Sequence, residues 1–172
     1  MYIFFAINLL YLIMVHLGSE KSPKVSSIGP WGGNGGTNWD DGSHDGMRVI
    51  TLRYGSCIDW IEVIYDNKNN PFPAPMHGGH GGVNTAQIVL RFPDEILTTV
   101  TGYYAVLPGS TTTPVIRSLM FMTNMGTYGP YGVEEGTPFS ASIEGGKIVG
   151  FFGKSGWYLD AIGFYVEIAK KI

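Results

Sequence analysis

Two stretches of the chain share a spacing that could do chemistry: Gly55-Ser56-Cys57-Ile58-Asp59 and Gly156-Trp157-Tyr158-Leu159-Asp160 each place an aspartate four residues after a glycine. An ionised carboxylate only accepts hydrogen bonds and a backbone N–H only donates them. A glycine turn closed by an aspartate can therefore offer both functions to one neutral polar ligand. Taken alone, either pentapeptide is an ordinary hairpin turn with a solvated acid. Neither stands alone. Glycine-rich runs occur at Gly29-Pro30-Trp31-Gly32-Gly33-Asn34-Gly35-Gly36, at Gly78-Gly79-His80-Gly81-Gly82 and at Tyr128-Gly129-Pro130-Tyr131-Gly132, and a residue without Cβ lets the main chain approach a ligand closely.

The remaining reactive side chains do not assemble into a catalytic set. His44, His77 and His80 lie in glycine-rich or polar stretches and read as solvated turn residues, while His16 belongs to an apolar leader. Asp40-Asp41 and Glu134-Glu135 are adjacent pairs, and neighbours on a strand point to opposite faces, so neither doublet makes a glycosidase pair. Gly78 to Gly82 lacks the Lys-Ser/Thr ending and the following helix of a phosphate-binding loop. Cys57, the one cysteine, excludes an intramolecular disulfide and has no partner at zinc-ligand spacing. These residues point to no catalytic centre, so the reading they favour is a binding protein rather than an enzyme.

The elements that must carry the two loops are strands. Twenty-five Gly and ten Pro with only 15% charged residues argue against long helices. Alternating apolar positions mark three strands, Val49 to Tyr54, Gln87 to Phe92 and Lys147 to Phe152, and three returning partners, Trp60 to Tyr65, Thr98 to Tyr103 and Ala161 to Val166. The inserts between them are Gly55 to Asp59, Pro93 to Leu97 and the stretch leading to Asp160. Three repeats are visible, and three antiparallel sheets with one apolar face each can bury those faces around a common axis. In the middle repeat Pro93 stands where glycine is wanted and Leu97 where aspartate is wanted, so a third acidic loop is not expected.

With 172 residues and a net charge of −3, the chain suits one compact domain and offers no electrostatic footprint for nucleic acid. Tyr2 to Leu17 is almost wholly apolar and shorter than the ~20 residues of a membrane span. It reads as a leader over residues 1–17, with secretion through a signal peptide favoured over a cytoplasmic protein, and with membrane contact only if the leader is retained. Residues 18–28 read as a flexible linker, and 29–172 as the domain.

The glycine-rich run at Gly29 to Gly36, Thr127-Tyr128-Gly129-Pro130-Tyr131-Gly132, Gly136-Thr137-Pro138-Phe139 and Gly156 to Asp160, in that order, resemble the jacalin-related plant lectins from about Gly29 to Val166. The resemblance implies an all-β fold, β-prism I, with three four-stranded Greek-key sheets around a pseudo-threefold axis. It implies carbohydrate binding with no catalytic activity, no cofactor and no metal, and a role in plant defence; the small number of weak sites per chain suggests a homo-oligomer, because multivalency raises effective concentration. The resemblance assigns Asp160 as acceptor, the amides of Tyr158, Leu159 and Gly36 as donors and Gly156 as the turn residue; Trp157 and Tyr158, as amphipathic aromatics, offer apolar walls. A second carbohydrate site follows by the same pattern, with Asp59 as acceptor, Cys57, Ile58 and Gly82 as amide donors and Gly55 at the turn. Galactose-preferring relatives are cut at the position of Gly36 and carry an aromatic in the loop that here reads Pro108 to Pro114. Neither feature is present, which implies glycans containing mannose or glucose. The alternative is a protein-interaction module on the same fold with a degenerate sugar site.

Overall fold

The computed structural model describes residues 23–168, which form thirteen strands and no helix. In chain order these are β1 (Lys24–Gly32), β2 (Thr37–Asp40), β3 (Gly46–Tyr54), β4 (Ile58–Asn67), β5 (Asn70–Pro73), β6 (His77–Gly78), β7 (Asn84–Val89), β8 (Leu97–Val106), β9 (Pro114–Thr123), β10 (Thr127–Gly132), β11 (Thr137–Ser142), β12 (Gly146–Ser155) and β13 (Leu159–Ile168). The apolar leader lies outside the described residues. Within the stretch read as a linker, the chain is already in β1 from Lys24, because Lys24 to Ile28 pair with β13 and Ile28 packs against the core.

Three antiparallel sheets result, each built on a central hairpin. The orders are β1-β13-β12-β2, β10-β9-β8-β11 and β5-β4-β3-β7, with β6 also paired to β4. Because β5 meets Ile64 to Asn67 and β6 meets Trp60 and Ile61, they divide one edge of β4 between them, and this sheet too is four strands wide. In each sheet the fourth strand of the unit returns beside the first, the Greek-key arrangement. The sheet holding both described ends keeps the same order, with β1 and β2 closing onto β12 and β13.

Alternation explains the shared core. In β4, Ile61, Val63 and Tyr65 point inward; Ile50 and Leu52 do so from β3, Leu119 and Phe121 from β9, and Phe151, Ile162 and Phe164 from the third hairpin. Phe151 meets Phe164 edge-on with centroids 5.2 Å apart, and Trp31 stacks on Phe139 at 5.3 Å, joining two sheets. No single sheet could bury its apolar face alone, so the three are mutually dependent.

The structure differs from the sequence reading in the middle repeat. Gln87 to Val89 do not pair with Thr98 to Tyr103; β7 lies against β3, and β8 pairs with β9 and β11. Alternation identifies a strand but not its partner, and β9, reached through the loop 107–113, completes the true second hairpin.

Every hairpin also carries a bulge at the same place. One extra residue stands between the pairs Tyr54↔Ile58 and Arg53↔Trp60, between Tyr104↔Ile116 and Tyr103↔Ser118, and between Ser155↔Leu159 and Lys154↔Ala161. Those residues are Asp59, Arg117 and Asp160. Their carbonyls accept hydrogen bonds from Gly79 N at 3.1 Å, Val133 N at 2.9 Å and Gly33 N at 2.9 Å respectively. The pseudo-threefold axis is thus visible in individual bonds.

Phe121 is fully buried where the sheets meet. Phe121→Ala is expected to lower the unfolding free energy by about 3–5 kcal/mol, measured by urea denaturation followed by tryptophan fluorescence.

Candidate binding site

At the end of the β12–β13 hairpin the bulge turns the Asp160 side chain toward the loop joining β1 to β2. A Cβ placed at Gly36, where φ is +65°, would sit 2.7 Å from Asp160 Oδ2, and one at Gly35 would strike Oδ1. Gly156 closes the opposite side, since a Cβ there would lie 3.4 Å from Gly36 Cα. Two stretches of bare main chain therefore face each other with a carboxylate between them, and the structure brings Gly36, Gly156 and Asp160 together.

Asp160 is only 7% exposed, and its Oδ2 is buried without a hydrogen-bond partner. A buried acceptor left unpaired is costly unless something else donates to it. Burial pushes the carboxyl above its ordinary range, opposed by the Gly156 N–H and the Lys154 charge. Gly156 N donates to Tyr158 O at 3.0 Å and closes the turn. Leu159 has its side chain wholly in the core, so only its main chain can meet a ligand, whereas Trp157 is 81% exposed at the loop tip and Tyr158 is half-buried.

The β3–β4 hairpin reproduces this geometry. Asp59 is 5% exposed, a Cβ at Gly82 (φ +81°) would lie 2.7 Å from its Oδ2, and one at Gly81 would strike Oδ1. A Cβ at Gly55 would lie 3.9 Å from Gly82 Cα, and Gly55 N donates to Cys57 O at 3.0 Å. Burial raises the Asp59 carboxyl too, with the Arg53 charge opposing it. Cys57 and Ile58 are buried, leaving their main chain as the available surface; burial, followed by the nearby Asp59 charge, pushes the Cys57 thiol up to about 12, where it is inert. Ser56 stands where Trp157 stands in the other loop, so this apex lacks an exposed aromatic.

The third apex is built differently, and the missing acid is not at Leu97. By register the position equivalent to Asp59 and Asp160 is Arg117. The facing loop runs from Gly132 to Gly136, and Glu135 replaces the glycine found at 35 and 81. Arg117 Nη2 pairs with Glu135 Oε2 at 3.2 Å, and Arg117 Nε donates to Ser56 O at 2.7 Å. Protein groups fill this apex.

Two histidines read as solvated are packed. His77 Nε2 pairs with Asp41 Oδ1 at 2.7 Å and its ring stacks on Trp39 at 3.9 Å; Tyr65 OH donates to Asp41 Oδ2 at 2.8 Å. His44 lies on Tyr65 at 4.1 Å and is hydrogen-bonded to Asn67 Oδ1 and Asp41 O, both at 2.9 Å. Short polar loops draw such residues inward because Asp41, almost fully buried, needs donors. Asp40 accepts from Tyr165 OH at 2.8 Å. The sequence reading also passed over Lys154 and Arg53, the cations beside the two buried acids. Their signal was available: each stands two residues before the loop glycine.

Comparison with known proteins agrees with this architecture. Residues 28–165 match the family model described as a Jacalin-like lectin domain. Jacalin-related lectin 19 of Arabidopsis thaliana is 57% identical over 143 residues, covering 83% of this chain and 81% of that protein. A mannose-specific jacalin-related lectin from Morus nigra, solved in complex with mannose, is 49% identical with a TM-score of 0.81, covering 87% of this chain and 99% of that one. A galactose-specific lectin of Morus indica is 41% identical, covering 87% of this chain and 98% of its own length.

The raised Asp160 carboxyl has a consequence for stability. A proton binds the folded state more tightly than the unfolded chain, so this group favours folding below the unfolded value of about 3.9 and loses that contribution as pH rises through its higher folded value. Asp160→Asn, which removes the buried charge at equal size, is expected to melt at or above the wild-type temperature at pH 7. The difference should vanish at pH 3.5. Circular dichroism melts at both pH values decide it, and a large loss of stability at pH 7 would contradict the account.

Proposed function

The chain belongs to the jacalin-related lectin family, and we propose that it binds mannose- or glucose-type sugars without metal or catalysis, at Asp160 and the facing Gly36 loop. The observation that carries this reading is the buried, unpartnered Asp160 Oδ2 set against main chain that has no Cβ to cover it. A pyranose presents neighbouring hydroxyls that both donate and accept. Two of them can donate to the carboxylate while the amides of Tyr158 and Leu159 donate to the ring and 6-position oxygens and that of Gly36 donates from the facing loop. Trp157, exposed at the rim, supplies an apolar wall to a sugar face or to the next residue of an oligosaccharide.

The Asp59 apex is a second site of the same kind, with Gly82, Cys57 and Ile58 as amide donors and Gly55 at its turn. Its matching loop geometry supports this, and Ser56 in place of Trp157 makes it the weaker of the two. Mannose or glucose is favoured over galactose because the loop 107–113 contains no aromatic. The mannose-bound Morus nigra lectin, at 49% identity, supports the same choice.

Asp160→Ala is expected to weaken binding of methyl α-mannoside at the main site about a hundredfold, roughly 3 kcal/mol, with circular dichroism unchanged. Adding Asp59→Ala should abolish the remaining heat in isothermal titration calorimetry; wild-type affinity in the double variant would refute the assignment. The acceptors must also be ionised to receive hydroxyl protons. Affinity should therefore fall as pH is lowered through the raised carboxyl values, at a higher pH than an exposed aspartate would give. A calorimetric series from pH 7 to 4 measures this, and a flat profile would contradict it.

A further inference from the structure

We infer that Arg117, which belongs to the third sheet, is a positioning residue for the second sugar loop, an inference that rests on reading the Asp59 apex as a binding site. Arg117 stands at the bulge position that holds aspartate in the other two hairpins. Its side chain is 7% exposed, and protein groups engage its guanidinium at Nε and Nη2. Its Nε–H reaches out of its own sheet to the carbonyl of Ser56 at 2.7 Å, a separation of 61 residues along the chain.

Ser56 is the tip of the Gly55 to Asp59 loop, and the peptide bond whose oxygen Arg117 holds is the one that supplies the amide of Cys57. A guanidinium hydrogen bond to that oxygen fixes the plane of the peptide, and with it the direction of the Cys57 N–H assigned to the sugar. The corresponding loops elsewhere are held otherwise. Trp157 is backed by Gly79, whose missing Cβ leaves room for the Trp157 carbonyl, and Pro114 is backed by Gly33 in the same way. At the third contact Val133 stands in the glycine position, and a side chain, Arg117, makes the junction to Ser56.

Glu135 completes the arrangement from outside. It is 67% exposed, pairs with Arg117 Nη2 at 3.2 Å, and leaves Nε turned toward Ser56. The cation therefore has one anchor at the surface and delivers its directed bond to the loop beneath. The same charge also acts on Cys57, where it opposes the upward push of burial.

The test uses two backgrounds. In full-length protein carrying Asp160→Ala, only the Asp59 site remains; in protein carrying Asp59→Ala, only the Asp160 site remains. Arg117→Met is expected to weaken methyl α-mannoside about tenfold in the first background and to leave the second unchanged in calorimetry. Arg117→Lys, which keeps the charge but loses the planar fork, should fall between and serves if Arg117→Met does not fold. Hydrogen exchange provides a readout that needs no sugar: the Cys57 and Ile58 amides should exchange about tenfold faster in the Arg117 variant, with those of Tyr158 and Leu159 unaffected. Equal weakening of both sites, or unaltered exchange at Cys57, would overturn the inference. A folded Asp160→Ala protein that binds no sugar, yet shows the expected exchange, would instead overturn the second site and leave the positioning role standing.

Discussion

One main-chain hydrogen bond, repeated at each apex, organises everything near the candidate sites: the carbonyl of the bulged residue accepts from the facing loop, at Gly33 N, Gly79 N and Val133 N. A regular antiparallel pair would commit that carbonyl to the ladder. The bulge releases it, and the same residue's side chain is left to point along the loop. Gly32, Gly78 and Gly132 precede those donors with φ of +128°, +127° and +92°, and a Cβ at any of them would strike the carbonyl of the bulged residue. Loop and hairpin are thus locked at a fixed separation before any side-chain chemistry is considered. The carboxylates inherit their placement from that lock.

A placement of this kind needs support from elsewhere, because burying an aspartate with an unpaired oxygen opposes folding. The support is the common core. Tyr65, Phe121, Phe151 and Phe164, all fully buried, belong to three different hairpins and keep the sheets in one arrangement irrespective of what the apices carry. Divergence at the apices is therefore tolerated, and the three hairpins show it: aspartate with tryptophan at the tip, aspartate with serine, and arginine paired to glutamate. A second polar cluster, Asp41 with His77, Tyr65 and His44, is buried but fully engaged. Its satisfied bonds contrast with Asp160, whose Oδ2 is buried without a partner.

What the sequence disclosed follows from which signals are local. The first and third hairpins could be read because their two strands and the glycine-to-aspartate loop are contiguous, and the alternation of Ile61, Val63 and Tyr65 needs no knowledge of partners. The second hairpin could not, since its loop 107–113 is longer and carries neither the leading glycine nor the acid. Gln87 to Val89 then seemed to be its first strand, although they complete the neighbouring sheet through β3. The placement of Asp160 against Gly36 was anticipated, because both motifs were intact. Arg117 was invisible: nothing in Val115-Ile116-Arg117-Ser118 distinguishes a bulge, and only the register of β8 with β9 shows that it stands at the aspartate position. His44 and His77 were misplaced for a related reason, since the need of Asp41 for donors appears only once the chain has closed.

The third apex clarifies why the other two remain open. At Gly35 and Gly81 the aspartate carboxylate itself fills the space where a Cβ would stand, so bare main chain lies directly against the acid. Glu135 at the equivalent position brings a side chain into that space, and arginine in place of aspartate gives the two groups opposite charge, so the apex closes on itself with an ion pair. Glycine and aspartate on the one hand, glutamate and arginine on the other, are thus coupled choices. Either change alone would fail: glutamate opposite aspartate would set two acids together, and arginine opposite bare glycine would leave a buried cation with one fewer partner. Openness at the two aspartate apices is therefore a property of the pair of loops, and at Asp160 it leaves a buried acceptor without a partner.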